Sequence, residues 1–388
     1  MKKLFISDCE GPISLNDNAF EICANFIKDG DKFFNVVSAF DDYLVDVIKK
    51  ENYNAGDTLK LIVPFLWAYG LNNQKIIDYS IENIDLVNGS IETMDLAKNS
   101  MNSYVVSTSY GQYIEALTDF IDFPFKNSYF TSLDMDMSID DDNNDRLIDD
   151  DGLMDNNGLM DNDLSGDYDI LVKSEKKILK SFKDKIVKID LDKIEDNFDF
   201  LNEIFFNEIP KLKSYKIAKN VKTVGGIGKK LAIDDILALS ENKIEDNEKI
   251  QIMYIGDSIT DVEPLTFAKN NDGIAISFNG NEYALNAGEI AVISNHTIAN
   301  SLLIYLHRFF NKDYVLEFVR AYSKDPDYAF ENFRVSFDLI DTFKKLLNEK
   351  KMDLPIIEII TNENKDFLLE KSIKMRKAIR GQDIGNLG

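Results

Sequence analysis

A chain of 388 residues with 44 basic against 68 acidic side chains has a net charge of −24 and a pI near 4.5, which argues against nucleic acid or an anionic membrane surface as a partner, since both would repel it. With 44% hydrophobic and 11% aromatic residues it can bury a sizeable core, and the usual ~150 residues per domain predicts two or three units. Two cysteines, Cys9 and Cys23, exclude a disulfide framework and a zinc or iron–sulfur ligand set, while the lack of a signal peptide or of an apolar run near the ~20 residues of a spanning helix predicts a soluble protein of the reducing cytoplasm.

The first element is an apolar strand, Lys3-Leu-Phe-Ile-Ser7, that stops at Asp8, with a second carboxylate at Glu10 and a Gly11-Pro12 turn. Asp8 is thus placed at the C-terminal tip of a strand, the edge where ligands bind in an open parallel sheet. Residues 13–99 lack strand alternation and predict helices. Phe20, Cys23, Ala24 and Ile27 share one helical face, Phe40, Tyr43, Leu44 and Val47 another, and Leu61, Phe65, Leu66 and Tyr69 a third. The aromatic residues here read as core. Strand character resumes at Ser103-Tyr-Val-Val-Ser107 and ends in the polar cluster Ser107-Thr108-Ser109. An amphipathic helix from Gln112 to Ile121 and a strand from Ser128 to Leu133 follow, which completes a parallel α/β unit.

Residues 134–163 contain twelve Asp, one basic residue (Arg146), and a repeated Gly-Leu-Met-Asp-Asn at 152–156 and 158–162. Such a block buries too little apolar surface to offset its ordering entropy, so a disordered insertion is expected over 134–167; its carboxylate spacing does not meet the EF-hand pattern. Next, Tyr168–Val172 and Ile186–Ile189 predict a strand pair and Leu191 to Ile209 an acidic amphipathic helix, together a small insertion over 168–212. Val224-Gly-Gly-Ile-Gly-Lys229-Lys230 then leads into a helix from Leu231 to Ser240. It is not a Walker loop: the first Gly would fall at Thr223, and Lys230 stands where Ser or Thr is required. What remains is a lysine pair at a helix N-terminus, where the helix dipole already favours an anion.

The strongest stretch is the hydrophobic strand from Ile250, ending in Gly256-Asp257-Ser258 with Asp261 four residues after Asp257. Two carboxylates so placed make a hard oxygen site of the kind magnesium prefers, and Gly256 leaves room for close approach. Residues 299–388 predict a helical extension. Its tail places Lys371, Lys374, Arg376, Lys377 and Arg380 in ten residues without an acid, and in so acidic a protein this tail is expected to dock on the body of the chain or on a partner.

Asp8-Cys-Glu10-Gly11, Ser107 after a strand, Lys229 or Lys230, and Gly256-Asp257-Ser258 with Asp261 follow the order of the four motifs of the haloacid dehalogenase superfamily of phosphohydrolases, which the chain resembles over roughly residues 3–295. The helical stretch after the first motif and Phe123-Pro-Phe-Lys-Asn-Ser-Tyr-Phe130 resemble its phosphoserine-phosphatase branch, with Glu10 in place of the usual second Asp and Pro12 in place of Thr or Val. Ser277–Tyr283 and the tail Met375–Gly388 are similar to archaeal members labelled subunit R of energy-converting hydrogenase A, a likeness that implies association with a hydrogenase complex and not a chemistry.

The resemblance implies an α/β fold with a doubly wound, Rossmann-like parallel sheet formed by 1–12, 100–133 and 213–298, an inserted helical cap at 13–99, and the C-terminal extension. It further implies Asp8 as nucleophile and Glu10 as acid and base. Mg²⁺ would lie between Asp8, the main-chain carbonyl of Glu10 and Asp257. Ser107, Thr108 and either Lys229 or Lys230 would hold phosphate, with the spacing to Ala232 favouring Lys229; Ser258 and Asp261 would support the ligands from behind. The expected activity is magnesium-dependent hydrolysis of a small phosphorylated metabolite through an aspartyl-phosphate on Asp8. The alternative is a weakly active or silent subunit that keeps the fold and serves a hydrogenase complex. A pure scaffold has no physical need of Asp8, Lys229 and Asp257 together, which favours the enzyme.

Overall fold

The structure is a computed structural model that describes residues 2–139, 164–241, 249–382 and 384–386. Its strands are β1 (Lys2–Ser7), β2 (Asn102–Tyr110), β3 (Ser128–Thr131), β4 (Ile250–Gly256), β5 (Ile274–Phe278), β6 (Ile290–Ile293) and β7 (Ile356–Ile359). They form one sheet in the order β3-β2-β1-β4-β5-β6-β7, parallel throughout except for β7, which runs antiparallel to β6. In β1 the residues from Lys3 to Ser7 are all buried, as a strand covered on both faces requires. Ser7 pairs with Val105 on one side and Ile255 on the other, so β1 and β4 end side by side.

Helices cover both faces, which makes the sheet doubly wound. Phe5, Val105, Met253, Ile276 and Val292 face helices Ser90–Ser100, Gly111–Phe120, Ile298–Phe309 and Lys312–Tyr322. Leu4, Ile6, Val106, Ile252 and Tyr254 face helices Ile227–Glu241 and Val262–Asn270. The alternation of Val105 and Val106 between the two layers is the period of two of a strand.

Four expectations change on folding. The stretch from Tyr168 to Ile189 is not a strand pair: Leu164–Ile186 is one helix, on which Val172, Glu175, Leu179 and Ile186 recur at helical spacing. Leu179 and Ile186 are wholly buried, among the same apolar residues as Phe33, Phe40 and Phe65, so this insertion is built into the cap. Glu175 accepts the Lys213 and Ser214 amides at 2.8 and 3.0 Å, which ties the two ends of the insertion together. The expected helix from Leu191 to Ile209 is a succession of short turns around the α-helix Phe198–Asn202 and the π turn Glu203–Glu208.

At the other boundary, helix Ser90–Ser100 belongs to the sheet layer, since Met94 and Ala97 pack with Val105. The C-terminal extension is not purely helical either: β7 adds to the sheet before the last helix, Lys365–Arg380. Most of the expected acidic insertion, 140–163, lies outside the described residues; before it, Met135 and Ile139 are buried in the cap core. No helix among the described residues is long and apolar enough to cross a membrane.

Candidate active site

The site forms where the parallel sheet changes direction of winding, between the tips of β1 and β4. Asp8 leaves β1 with its amide on the Ile255 carbonyl at 2.8 Å, and its Oδ1 accepts from the Cys9 amide at 2.7 Å. Gly11 then turns the chain at φ +98°, where a Cβ would stand 2.2 Å from Oδ2 of Asp257. Only glycine fits both the backbone and the approach of that carboxylate.

Asp261 is the hub behind these groups. Its Oδ2 accepts from the amides of Asp257 (2.9 Å) and Ser258 (3.1 Å) and from the Ser258 hydroxyl (3.3 Å), and its Oδ1 accepts from Lys229 Nζ and the Tyr254 hydroxyl, each at 2.7 Å. Lys229 reaches Asp8 Oδ2 at 2.8 Å as well. Of the two lysines, Lys229 is the one in contact with these carboxylates. Lys229 is fully buried, whereas Lys230 is half-buried, paired with Asp234 and lying over the Phe267 ring, away from the cleft.

The helix carrying Lys229 is entered through Gly225 and Gly226; a Cβ on Gly225 would meet the Ala55 carbonyl oxygen at 2.1 Å. The same cap loop is tied down where Asp57 Oδ1 accepts from Thr223 at 2.6 Å.

Charge follows from these contacts. Burial works against the Lys229 ammonium, but Asp261 and Asp8 outweigh it and raise its pKa. Burial also works against the Asp261 carboxylate; the charge and hydrogen bond of Lys229, with those from Tyr254 and the Asp257 amide, hold its pKa below the usual value. Asp8 is pushed well up by burial and by the charge of Asp261, against the pull of Lys229. Glu10, half-buried beside Asp17, is likewise pushed well above its ordinary value by desolvation and by the Asp17 charge, although its Oε1 accepts the Asn18 amide at 2.8 Å.

Asp8, Asp257 and Asp261 bring carboxylate oxygens within 4.8 Å of one another, a buried group able to hold a metal ion. Each oxygen of Asp261 already accepts from two or more protein donors, which fills its lone pairs, whereas each oxygen of Asp8 accepts from one among the described residues; Asp8 and Asp257 are therefore the two suited to direct coordination, and Asp261 fixes them and Lys229. A cleft of about 100 Å³ opens above, lined on the sheet side by Asp8, Glu10, Thr108, Asp257, Ser258 and Thr260 and on the cap side by Phe34, Ser38, Asp41 and Asp42. The sequence pair Ser107 and Thr108 divides here. Thr108 lines the cleft, and its Oγ1 is buried with no hydrogen-bond partner among the described residues. Ser107 is not among the lining residues; its Oγ accepts the Ser109 amide at 3.1 Å.

Two cleft residues were not singled out for the site from the sequence. Arg376 and Arg380, on the helix Lys365–Arg380, both donate to Oδ2 of Asp257, Arg380 at 3.2 Å. Arg380 also donates to the carbonyls of Leu15 (3.1 Å) and Asn16 (2.7 Å). The basic tail therefore docks on the chain's own body. Its usable signal is the i, i+4 spacing, which puts the two arginines on one helix face.

No family model matches the chain, and no curated protein does. Among solved structures, gene product AF1437 from Archaeoglobus fulgidus is similar, with a TM-score of 0.67 and 26% sequence identity over 100% of this chain and 99% of that one. The likeness runs from end to end, so cap, sheet and C-terminal extension make up one architecture common to the two proteins.

Proposed function

We propose that the chain is a magnesium-dependent phosphohydrolase of the haloacid dehalogenase type, which cleaves a small phosphorylated metabolite through a phosphoryl group carried on Asp8. The observation that carries this reading is the buried Lys229, held between Asp8 and Asp261 at the tips of adjacent strands. A phosphate monoester repels a carboxylate nucleophile, and a fixed ammonium in contact with that nucleophile offsets the repulsion. Asp8 attacks phosphorus in line and the ester P–O bond breaks. Glu10, whose partial desolvation beside Asp17 favours the protonated form, gives its proton to the leaving oxygen. The Glu10 carboxylate then takes a proton from the water that attacks the phosphorus, which releases inorganic phosphate and restores Asp8. Thr108, whose Oγ1 has no partner among the described residues, is the hydroxyl suited to a phosphate oxygen.

The donor set fits a hard divalent cation. Asp8, Glu10, Asp17, Asp257 and Asp261, with Asp41 and Asp42 above, outnumber the cations Lys229, Arg376 and Arg380. Asp8, Asp257 and the main-chain carbonyl of Glu10 would hold the ion, and all three offer the oxygen donors that magnesium prefers. Bound there, it supplies charge neutralisation to the phosphoryl group. Release of phosphate from a generic aryl phosphate, with magnesium and with a chelator, tests the reading. Magnesium-dependent turnover is expected; absence of turnover with every divalent cation across a panel of phosphate esters overturns it.

A further inference from the structure

The helix Lys365–Arg380 is anchored far from the site as well as in it. Leu368 is wholly buried against Leu285, Ala291 and Ile293, and the Ser372 hydroxyl donates to the Gly280 carbonyl at 2.6 Å. Its last two turns project Arg376 and Arg380 into the cleft, where both converge on the same carboxylate oxygen, Oδ2 of Asp257. Arg376 also donates to the Asp257 carbonyl at 3.3 Å.

A carboxylate that a divalent cation needs as a ligand is thus already neutralised by two protein cations. We infer that Arg376 and Arg380 are positioning residues that carry part of the cation's charge at Asp257, so that docking of the C-terminal helix and binding of a divalent cation oppose each other. The inference rests on the metal-dependent reading above. Its physics is simple. Like charges held close together in a buried site repel strongly, and coupling between two binding events is reciprocal: whatever the docked arginines cost the cation, the cation costs the docked arginines. The consequence is a site that is electrically stable without metal and exchanges it readily.

Mn²⁺ is the probe, titrated into the full-length protein by calorimetry and by the electron spin resonance signal of the free ion. Arg376→Gln and Arg380→Gln are expected to bind Mn²⁺ about tenfold more tightly than wild type, a coupling of ordinary size. Arg376→Lys and Arg380→Lys, which keep the charge, stay close to wild type. Unchanged or weaker binding by the folded Gln variants, with wild type binding normally, overturns this inference alone. Failure of every protein to bind Mn²⁺ overturns the metal reading and this inference with it. If the Gln variants do not fold, amide hydrogen exchange of the wild type decides: exchange across residues 372–382 is faster with Mn²⁺, and slower or equal exchange overturns the inference.

Discussion

Lys229 Nζ lies 2.7 Å from Asp261 Oδ1 and both side chains are completely buried, 32 residues apart in the chain and on different elements. A buried ammonium of this kind is costly to desolvate and is retained where carboxylates need it. Lys229→Met removes the ammonium and leaves Asp8 and Asp261 facing each other. The expected loss is about 3–5 kcal/mol of unfolding free energy, read as a lower denaturation midpoint at unchanged slope, together with loss of phosphatase turnover. Lys230→Met, outside the cleft and half-buried, leaves both near wild type; equal effects of the two substitutions would reverse the assignment.

The two carboxylates of the opening strand separate by their chemistry. On the proposed mechanism Asp8→Asn removes the nucleophile, and no phosphorylated protein is expected to form. On the same mechanism Glu10→Gln is expected to keep Asp8 and lose only proton transfer, typically worth ~10²–10⁴ in rate. With an aryl phosphate, whose leaving group needs no proton, the first step survives in Glu10→Gln and water attack slows, so acid-quenched Glu10→Gln protein carries phosphate detectable by mass spectrometry. Full activity of Asp8→Asn would end the aspartyl-phosphate mechanism.

Stability of the metal-free protein is expected to fall as pH rises. Burial pushes Asp41 and Asp42, on the cap wall of the cleft, up to about 7, and Glu21 up to about 7 as well. Their unfolded values lie near the ordinary ~4. The folded state therefore binds more protons between about pH 4 and pH 7, and its stability, full below the unfolded values, is lost as pH climbs through the folded ones. Asp261 works in the opposite sense at lower pH, and so does His307, held down to about 3 by burial, up to its ordinary value near 6.5; the three raised carboxylates outnumber them between about pH 5 and pH 8. Thermal midpoints in chelator should be higher near pH 5 than near pH 8, with a shallower slope in Asp41→Asn/Asp42→Asn; a midpoint that climbs steadily to pH 8 contradicts this.

The helix Leu164–Ile186 is expected to behave as part of the cap core. Leu179→Ala should cost about 2–5 kcal/mol, the usual range for a buried leucine, because Leu179 is wholly enclosed among cap residues. Chemical denaturation measures it. A loss below ~0.5 kcal/mol, the size of an ordinary surface substitution, would mean that the helix does not pack where it is placed.

Asp8, Asp257 and Asp261 were legible in the sequence because each follows a strand or a glycine within a few residues, and local chemistry alone puts a carboxylate at a strand tip. The doubly wound sheet was legible for the same reason, from apolar runs of strand length separated by helical ones. The helix Leu164–Ile186 was missed because two short β-branched runs at its ends imitate strands, while the helical spacing of Val172, Glu175, Leu179 and Ile186 has meaning only once the cap supplies a surface to receive it. The choice of Lys229 over Lys230, and of Thr108 over Ser107 for the cleft, turns on which way adjacent side chains face, and neighbours in sequence carry no label for that. Arg376 and Arg380 lie more than a hundred residues beyond Asp257. Composition announces that a basic tail will seek acid, but an acidic protein offers many carboxylates, and only β7, by laying the last strand antiparallel against β6, delivers the final helix to this one.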